Sequence, residues 1–134
     1  MKNNKVVIIT GGNRGIGLGI TKSFLKSGYN IIIGSRTKPQ INNKNIIYQH
    51  TDVRKEKHHE RLADIAIKKY GRLDCYINNA GFSAWMPIDK INDKFLSNII
   101  NTNLKGAFWG SKAAAKHLRK GGTIINISSI AGKR

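Results

Sequence analysis

The chain has 134 residues, the length of one domain, and 40% of them are hydrophobic, which excludes a wholly disordered protein. No apolar run approaches the roughly 18 residues of a membrane span, and the amino terminus lacks the features of a signal peptide. The single cysteine, Cys75, excludes an internal disulfide framework, and no cluster of residues has the spacing of a metal site. We therefore expect a reducing, cytoplasmic compartment, with no membrane partner and no metal.

Charge is the strongest compositional bias, because 24 Lys and Arg against 7 Asp and Glu give a formal net charge of +17. Clustered positive charge is typical of nucleic-acid binding, since it releases counterions from a polyanion. Here the basic residues are spread thinly, without a block of five or six like charges. Asn, Ile and Lys, whose codons are AT-rich, are all abundant. We interpret the charge as compositional drift and predict no nucleic-acid partner.

Apolar residues follow two alternating periods along the chain. Short continuous β-branched runs predict strands buried on both faces, and apolar residues at helical spacing predict amphipathic helices. In chain order these predict a strand at 5–10, a helix at 16–28, strands at 30–35 and 45–52, a helix at 55–70, a strand at 73–78, a long helix at 93–118 bent near Gly106, and a strand at 123–128. Parallel neighbours need crossover connections, which helices provide. The fold class is therefore α/β, with a Rossmann-like, doubly wound parallel sheet.

A glycine-rich turn, Thr10-Gly-Gly-Asn-Arg-Gly-Ile-Gly17, connects the first strand to the first helix. Its glycines permit a tight turn and a close approach of backbone to phosphate. The helix that follows offers free N–H groups and partial positive charge to an anion. The position between strand and helix predicts a site for the pyrophosphate of a dinucleotide.

Four further motifs carry a resemblance to a known family. They are Asp52-Val53 after the third strand, Asn78-Asn79-Ala80-Gly81 after the fourth, Asn103-Leu104-Lys105-Gly106 in the long helix, and Ile127-Ser128-Ser129 ending the fifth. With the glycine turn, the sequence closely resembles the short-chain dehydrogenase/reductase family, whose signature is T-G-x-x-x-G-x-G. The resemblance covers residues 1–134 and implies an NADP-binding domain whose reaction is hydride transfer between nicotinamide and a carbonyl or alcohol substrate.

The resemblance also implies which residues bind the cofactor. The pyrophosphate would be lined by Gly11, Gly15 and Gly17, with Asn13, Arg14 and Ile16 completing the turn. Asp52 would hydrogen-bond the adenine amino group, and Val53 would pack against the ring. Near the nicotinamide-side ribose would lie Asn79, Ala80 and Gly81. For Asn78-Asn79 a strand-end turn that holds the sheet together is the alternative role, and one segment can serve both.

The choice between NADP and NAD follows from charge. An NAD site needs an acidic residue about 20 residues after the glycines, to accept from the ribose 2′-OH. Between Gly17 and Asp52 the chain has no Asp or Glu, and Ser35-Arg36 ends the second strand. Arg14 can approach the same 2′ position, and planar guanidinium groups match phosphate oxygens. We therefore predict NADP(H), with Arg36 as a solvated surface side chain being the alternative.

In this family a Tyr is the general acid and base, a nearby Lys lowers its pKa, a Ser polarises the substrate oxygen and an Asn supports a water relay. Ser129 matches the Ser and Asn103 the Asn. A helix-bending Asn bonded to a backbone carbonyl is the alternative for Asn103. The Tyr and Lys form Tyr-x-x-x-Lys, which no tyrosine of this sequence begins.

The chain therefore resembles the N-terminal half of a family domain, truncated after the fifth strand. We expect an exposed apolar edge on strand 123–128, which native sheets avoid. The parent is expected to be a homo-oligomeric oxidoreductase, and the 134-residue chain alone is expected to be inactive. A catalytically inert dinucleotide-binding or scaffold protein is the alternative.

A few remaining residues have simpler interpretations. Cys75 is predicted to be a small core residue. Trp85, Met86 and Trp109 are predicted in the core or at subunit contacts. The resemblance places segment 82–88 at the substrate entrance. His58-His59 is predicted to be a pair of surface histidines, because adjacent residues do not share a helix face and no third metal ligand is near.

Overall fold

The computed structural model describes residues 4–133, so residues 1–3 and 134 of the predicted domain lie outside it. Helices and strands alternate along the described chain in the predicted order. The strands are β1 (Val6–Thr10), β2 (Asn30–Ser35), β3 (Ile46–His50), β4 (Cys75–Asn78) and β5 (Thr123–Asn126). The helices are α1 (Gly15–Lys26), α2 (Glu56–Tyr70), α3 (Asp93–Ile99) and α4 (Gly106–His117), with a π-helical turn over Ile100–Lys105 and 3₁₀ turns at Ile88–Lys90 and Ile130–Lys133.

The five strands form one parallel sheet in the order β3-β2-β1-β4-β5. The strand order reverses at β1, where Ile8 pairs with Ile32 of β2 on one side and with Tyr76 of β4 on the other. This arrangement confirms the doubly wound, Rossmann-like fold. From β1 the chain runs through β2 to β3 on one side of the sheet, and it then crosses back to add β4 and β5 on the other side. A crevice therefore opens at the carboxyl ends of β1 and β4.

Both faces of the central strands β1, β2 and β4 are covered, which explains the continuous β-branched runs. Helices α2 and α4 cover the face of Ile8, Ile32 and Tyr76, and α1 covers the face of Ile9 and Ile33. Every residue of β1 is buried. Each fully buried Ile contributes about 1.5–3 kcal/mol, so the central strands are the most stable part of the fold.

Four strands are shorter than predicted, at Val6–Thr10, Ile46–His50, Cys75–Asn78 and Thr123–Asn126. For β4 the reason is local. The Asp74 carboxylate accepts from the Val6 N–H at 2.8 Å, and it takes the place of the backbone carbonyl that a regular strand would offer there. β5 is an edge strand, and among residues 4–133 it pairs with β4 alone. The expected apolar edge is present, with Ile125 37% exposed.

The predicted helix 93–118 is interrupted just before Gly106 by the π-helical turn over Ile100–Lys105. Asn92 starts α3, because its Oδ1 accepts from the Phe95 N–H at 2.9 Å. At Gly106 a Cβ would lie 3.2 Å from Val53 Cγ2, so α4 passes close to the loop after β3. Within residues 4–133, no helix is both long and apolar enough to cross a membrane.

Candidate dinucleotide-binding site

A cleft of about 900 Å³ opens at the carboxyl ends of the strands, where the strand order reverses. Every residue predicted to bind the cofactor lines this cleft: Gly11, Asn13, Arg14, Gly15, Ile16, Gly17, Ser35, Arg36, Asp52, Val53, Asn79, Ala80 and Gly81. Sequence reasoning placed Phe82 and Ser83 at the substrate entrance and missed the other lining residues, which are Gly34, Thr37, Thr51, Arg54, Asn98 and Thr102. Thr37, Thr51 and Arg54 follow strand ends, and that position was the signal that could have found them.

The glycine loop turns sharply between β1 and α1. Gly11 and Gly15 have positive φ angles of 66° and 54°, which L-residues with side chains rarely adopt. A Cβ on Gly17 would collide with the carbonyl oxygen of Gly11. Arg14 precedes α1 without a side-chain cap, and the first turn of the helix contains no acidic residue. The positive end of α1 therefore faces the cleft without a side-chain anion, as a phosphate site requires.

Thr10 and Asn79 tie this loop to the end of β4. Thr10 Oγ1 accepts from the N–H groups of Asn79 and Ala80 at 3.0 and 3.1 Å. Asn79 Nδ2 donates to the carbonyl oxygens of Thr10 and Gly11 at 3.1 and 3.2 Å. Asn78 Nδ2 donates to Asn126 Oδ1 at 2.9 Å. These contacts match the strand-end role considered for Asn78-Asn79.

The end of the cleft beside β2 is polar and basic. Asn13 Nδ2 donates to Thr37 Oγ1 at 2.8 Å, and Ser35 Oγ donates to the Thr37 carbonyl at 2.7 Å, so the glycine loop is joined to the loop after β2. The side chains of Arg14 and Arg36 are exposed beside them. Among the described residues that line the cleft, the one carboxylate belongs to Asp52.

Asp52 is not free, because Arg54 holds it. The carboxylate accepts from the Arg54 backbone N–H at 3.0 Å and from Arg54 Nη2 at 2.8 Å. These hydrogen bonds, chiefly that of the guanidinium, lower the pKa of Asp52 to about 2. Arg54 Nη1 also donates to Asn98 Oδ1 at 3.3 Å, which links the loop after β3 to α3. Nothing in the motifs indicated Arg54.

The surface prediction for His58-His59 is wrong. His59 is fully buried on the side of α2 that faces the sheet, and His58 is half-buried. The signal was present in the spacing, since residue 59 lies three and four positions before Leu62 and Ala63, which face the sheet. No group of three or more potential metal ligands forms within the described part of the chain.

The predicted catalytic pair lies outside the residues that line the cleft. Asn103 Oδ1 accepts from the Phe82 N–H, and Asn103 Nδ2 donates to the Phe82 carbonyl, both at 2.7 Å. Ser129 is exposed after β5, and its Oγ accepts from the Ala131 N–H at 3.2 Å. Asn103 therefore bonds a backbone carbonyl, but that of the loop after β4 rather than that of its own helix.

Two predictions about core residues have different outcomes. Cys75 is buried in β4, and burial raises the pKa of its thiol to about 11, as expected of an inert core residue. Trp85 is 87% exposed, so it is not a core residue. Met86 and Trp109 are half-buried.

The parallel sheet, its reversal at β1 and the glycine loop at that point define a Rossmann-like α/β protein. The family model for short chain dehydrogenases matches residues 5–134. The chain belongs to the short-chain dehydrogenase/reductase family.

Individual relatives agree with this assignment. L-fucose dehydrogenase of Bos taurus is 35% identical over 139 residues, covering 96% of this chain and 50% of that protein. Diacetyl reductase ((S)-acetoin forming) of Staphylococcus epidermidis is 36% identical, covering 96% of this chain and 55% of that protein. A structure of ElxO with NADP bound is 35% identical and superimposes with a TM-score of 0.90, covering 98% of this chain and 58% of that one. The chain thus spans about half the length of the relatives it matches.

Proposed function

We propose that the cleft binds NADP(H) and that the chain is part of an oxidoreductase acting on a small carbonyl or alcohol substrate. The observation that carries the proposal is the pairing of a glycine loop at an uncapped helix N-terminus with two exposed guanidinium groups, Arg14 and Arg36. NADP, when bound, supplies the hydride acceptor or donor. ElxO is a relative whose structure holds NADP, which supports the same cofactor here.

The residues present fit such a cofactor. The close approach of Gly17 to Gly11 leaves backbone rather than side chains facing the phosphate position. Arg14 and Arg36 carry fixed positive charge at the end beside Ser35, where a carboxylate would repel a 2′-phosphate. The one carboxylate among the described lining residues, that of Asp52, is paired with Arg54. Val53 supplies an apolar surface for the adenine ring, and Asp52 supplies an acceptor for its amino group.

For the chemical step, we propose that Ser129 polarises the substrate oxygen and that Asn103 supports a water relay, as the resemblance implies. Neither side chain lines the cleft, so the other half of the domain would be needed to bring substrate to them. The general acid of the family, Tyr-x-x-x-Lys, does not occur in the sequence. We infer that the 134 residues bind the cofactor without turnover, in a homo-oligomeric parent of the cytoplasm, and the alternative is an inert dinucleotide-binding protein.

Cofactor choice is tested by titrating the chain with NADPH and with NADH. Arg36→Ala removes one charge-assisted hydrogen bond to the 2′-phosphate and is expected to weaken NADPH binding by about tenfold to a hundredfold, with NADH unchanged. Lys38→Ala is the matched control, because Lys38 is an exposed cation of the same loop that does not line the cleft. Equal affinities for NADPH and NADH, or an equal loss of both in Arg36→Ala, would contradict the proposal.

The same preparation tests turnover. Diacetyl with NADPH, and L-fucose with NADP⁺, are the first substrates to try, because relatives are named for them. We expect no change in nicotinamide absorbance with the 134-residue chain. Steady oxidation of NADPH would show that a general acid other than Tyr-x-x-x-Lys operates. That result would contradict the proposal that the 134 residues lack a complete active site.

A further inference from the structure

Two adjacent histidines of α2 bond consecutive residues of the loop after β3. His58 Nδ1 accepts from the Asp52 N–H at 2.9 Å. His59 Nε2 lies 2.8 Å from the Val53 carbonyl oxygen. A carbonyl only accepts, so His59 Nε2 carries the proton, and its Nδ1 accepts from the Tyr76 hydroxyl at 2.7 Å. His58 is therefore neutral, and both ring nitrogens of His59 have a partner.

The segment that these histidines hold is part of the cleft. Asp52 and Val53 line it, and the Val53 side chain also packs against Gly106 at the start of α4. A shift of this segment would move the carboxylate of Asp52 and the apolar surface of Val53 together. The side chains of His58 and His59 do not themselves line the cleft.

We propose that His58 and His59 are positioning residues that fix Asp52 and Val53 at the adenine end of the cleft, and that protonation of His58 weakens dinucleotide binding at low pH. The proposal rests on the proposed function, since it takes the cleft to be the cofactor site. His58 is the residue that titrates, because its bond to the Asp52 N–H needs a bare Nδ1. A protonated His58 would place its Nδ1–H against the Asp52 N–H, and two donors cannot form a hydrogen bond.

The groups around His58 favour its neutral form at neutral pH. Burial lowers its pKa most, and Arg61 and Lys55 of the α2 region and His50 of β3 lower it further, while Asp52 opposes them. For His59, burial is again the largest cause of a lowered pKa, with His58 adding to it, and the Val53 carbonyl and Asp52 oppose it. His59 is fully buried, so its clamp persists over the range in which His58 gains a proton.

The first experiment measures the Kd of NADP⁺ from about pH 8 to about pH 5.5, which brackets the ordinary histidine pKa of about 6.5. In His58→Asn the amide Oδ1 takes the place of Nδ1 and accepts without titrating. The 2′-phosphate of NADP⁺ titrates in the same range, so the two proteins are compared on the same ligand. Between these pH values we expect the wild-type affinity to fall by about fivefold more than that of His58→Asn, because only the wild type loses the hydrogen bond to the Asp52 N–H.

His58→Ala should bind about fivefold more weakly than wild type at pH 8, without the extra acid loss. His117→Asn, a histidine outside the cleft, should reproduce the wild-type profile. Superimposed profiles of wild type and His58→Asn would overturn the acid-sensitivity, and wild-type affinity in His58→Ala would overturn the positioning role.

For His59, His59→Gln keeps a donor to Val53 and should bind better than His59→Leu. Where His59→Leu does not fold, the His58 variants decide.

A measurement without nucleotide separates this proposal from the proposed function. NMR of the chain alone should show a neutral His58 ring at pH 8. It should also show an Asp52 amide that loses protection from exchange on acidification in wild type and keeps it in His58→Asn. Absence of dinucleotide binding at pH 8 together with that behaviour would refute the proposed function alone. An Asp52 amide indifferent to His58→Ala would refute the clamp itself.

Discussion

Gly17 lies where the first turn of α1 meets the end of β1. A Cβ there would collide with the Gly11 carbonyl oxygen and come within 2.5 Å of Asn79 Nδ2, and both atoms belong to the network that shapes the glycine loop. Neither can yield without breaking the bond between them. The glycine is therefore required by packing in the protein itself, before any ligand is considered.

Gly17→Ala is expected to destabilise the fold by about 3 kcal/mol, the upper range for an overpacked site. Gly19→Ala is the matched control, because Gly19 lies in the same helix with nothing within 4 Å of its added Cβ. It should stabilise α1 by about 0.5–1 kcal/mol. Urea unfolding of both variants checks the pair, and an unchanged free energy of unfolding in Gly17→Ala would show that the loop moves aside at no cost.

Among the helices, the π-helical turn has the clearest consequence for the cleft. It separates α3 from α4 and places Asn103 opposite the loop after β4, where one amide satisfies both the N–H and the carbonyl of Phe82. Phe82 in turn lines the cleft. π-helical turns within helices are often found at functional sites, which fits this arrangement.

Asn103→Ala should release the segment around Phe82, because two backbone groups lose their partner. Hydrogen exchange of the Phe82 amide is expected to rise by about tenfold, the effect of losing about one to two hydrogen bonds in local opening. Asn101→Ala, from the same turn, is the control and should leave that amide unchanged. An unaltered Phe82 amide in Asn103→Ala would mean that other contacts hold the loop.

Over the whole molecule, the titrating groups respond to acid in one direction. The pKa values of His58 and His59 are lowered in the fold, chiefly by burial. The pKa of Asp52 is lowered to about 2 by Arg54, and that of Asp74 is lowered by its bonds to Arg72 and Val6, against the opposing effect of burial. In every case the unfolded chain binds protons before the folded one does, so acid favours unfolding.

The free energy of unfolding should therefore be highest at neutral pH and fall in two stages. The first begins near the ordinary histidine pKa of about 6.5, and the second near the ordinary Asp pKa of about 3.9. Urea unfolding at a series of pH values measures both, and His59→Gln should reduce the first stage. Constant stability between about pH 7.5 and pH 5.5 would show that folding does not lower the pKa of either histidine.

Much of the site was predictable because its motifs follow strand ends. Residues after parallel strands meet at one edge of the sheet, so Gly11, Arg36, Asp52 and Asn79 had to lie together once the sheet was assigned. What failed was the choice of partners for individual side chains. Asn103 and Phe82 are 21 positions apart, and no local pattern signals that their polar groups bond.

The sequence by itself determined the parallel α/β class, the order of the elements and most of the residues that line the cleft, because periodicity, turn glycines and charge are local properties of the chain. Only the tertiary structure decided that Arg54 reaches Asn98 of α3, that His59 is buried against Tyr76, and that the strand at 123–128 ends early and, among the described residues, pairs with β4 alone. The physical reason is that burial and hydrogen-bond partners depend on which elements pack together, and each such contact joins segments whose separation in sequence carries no information about their distance in space.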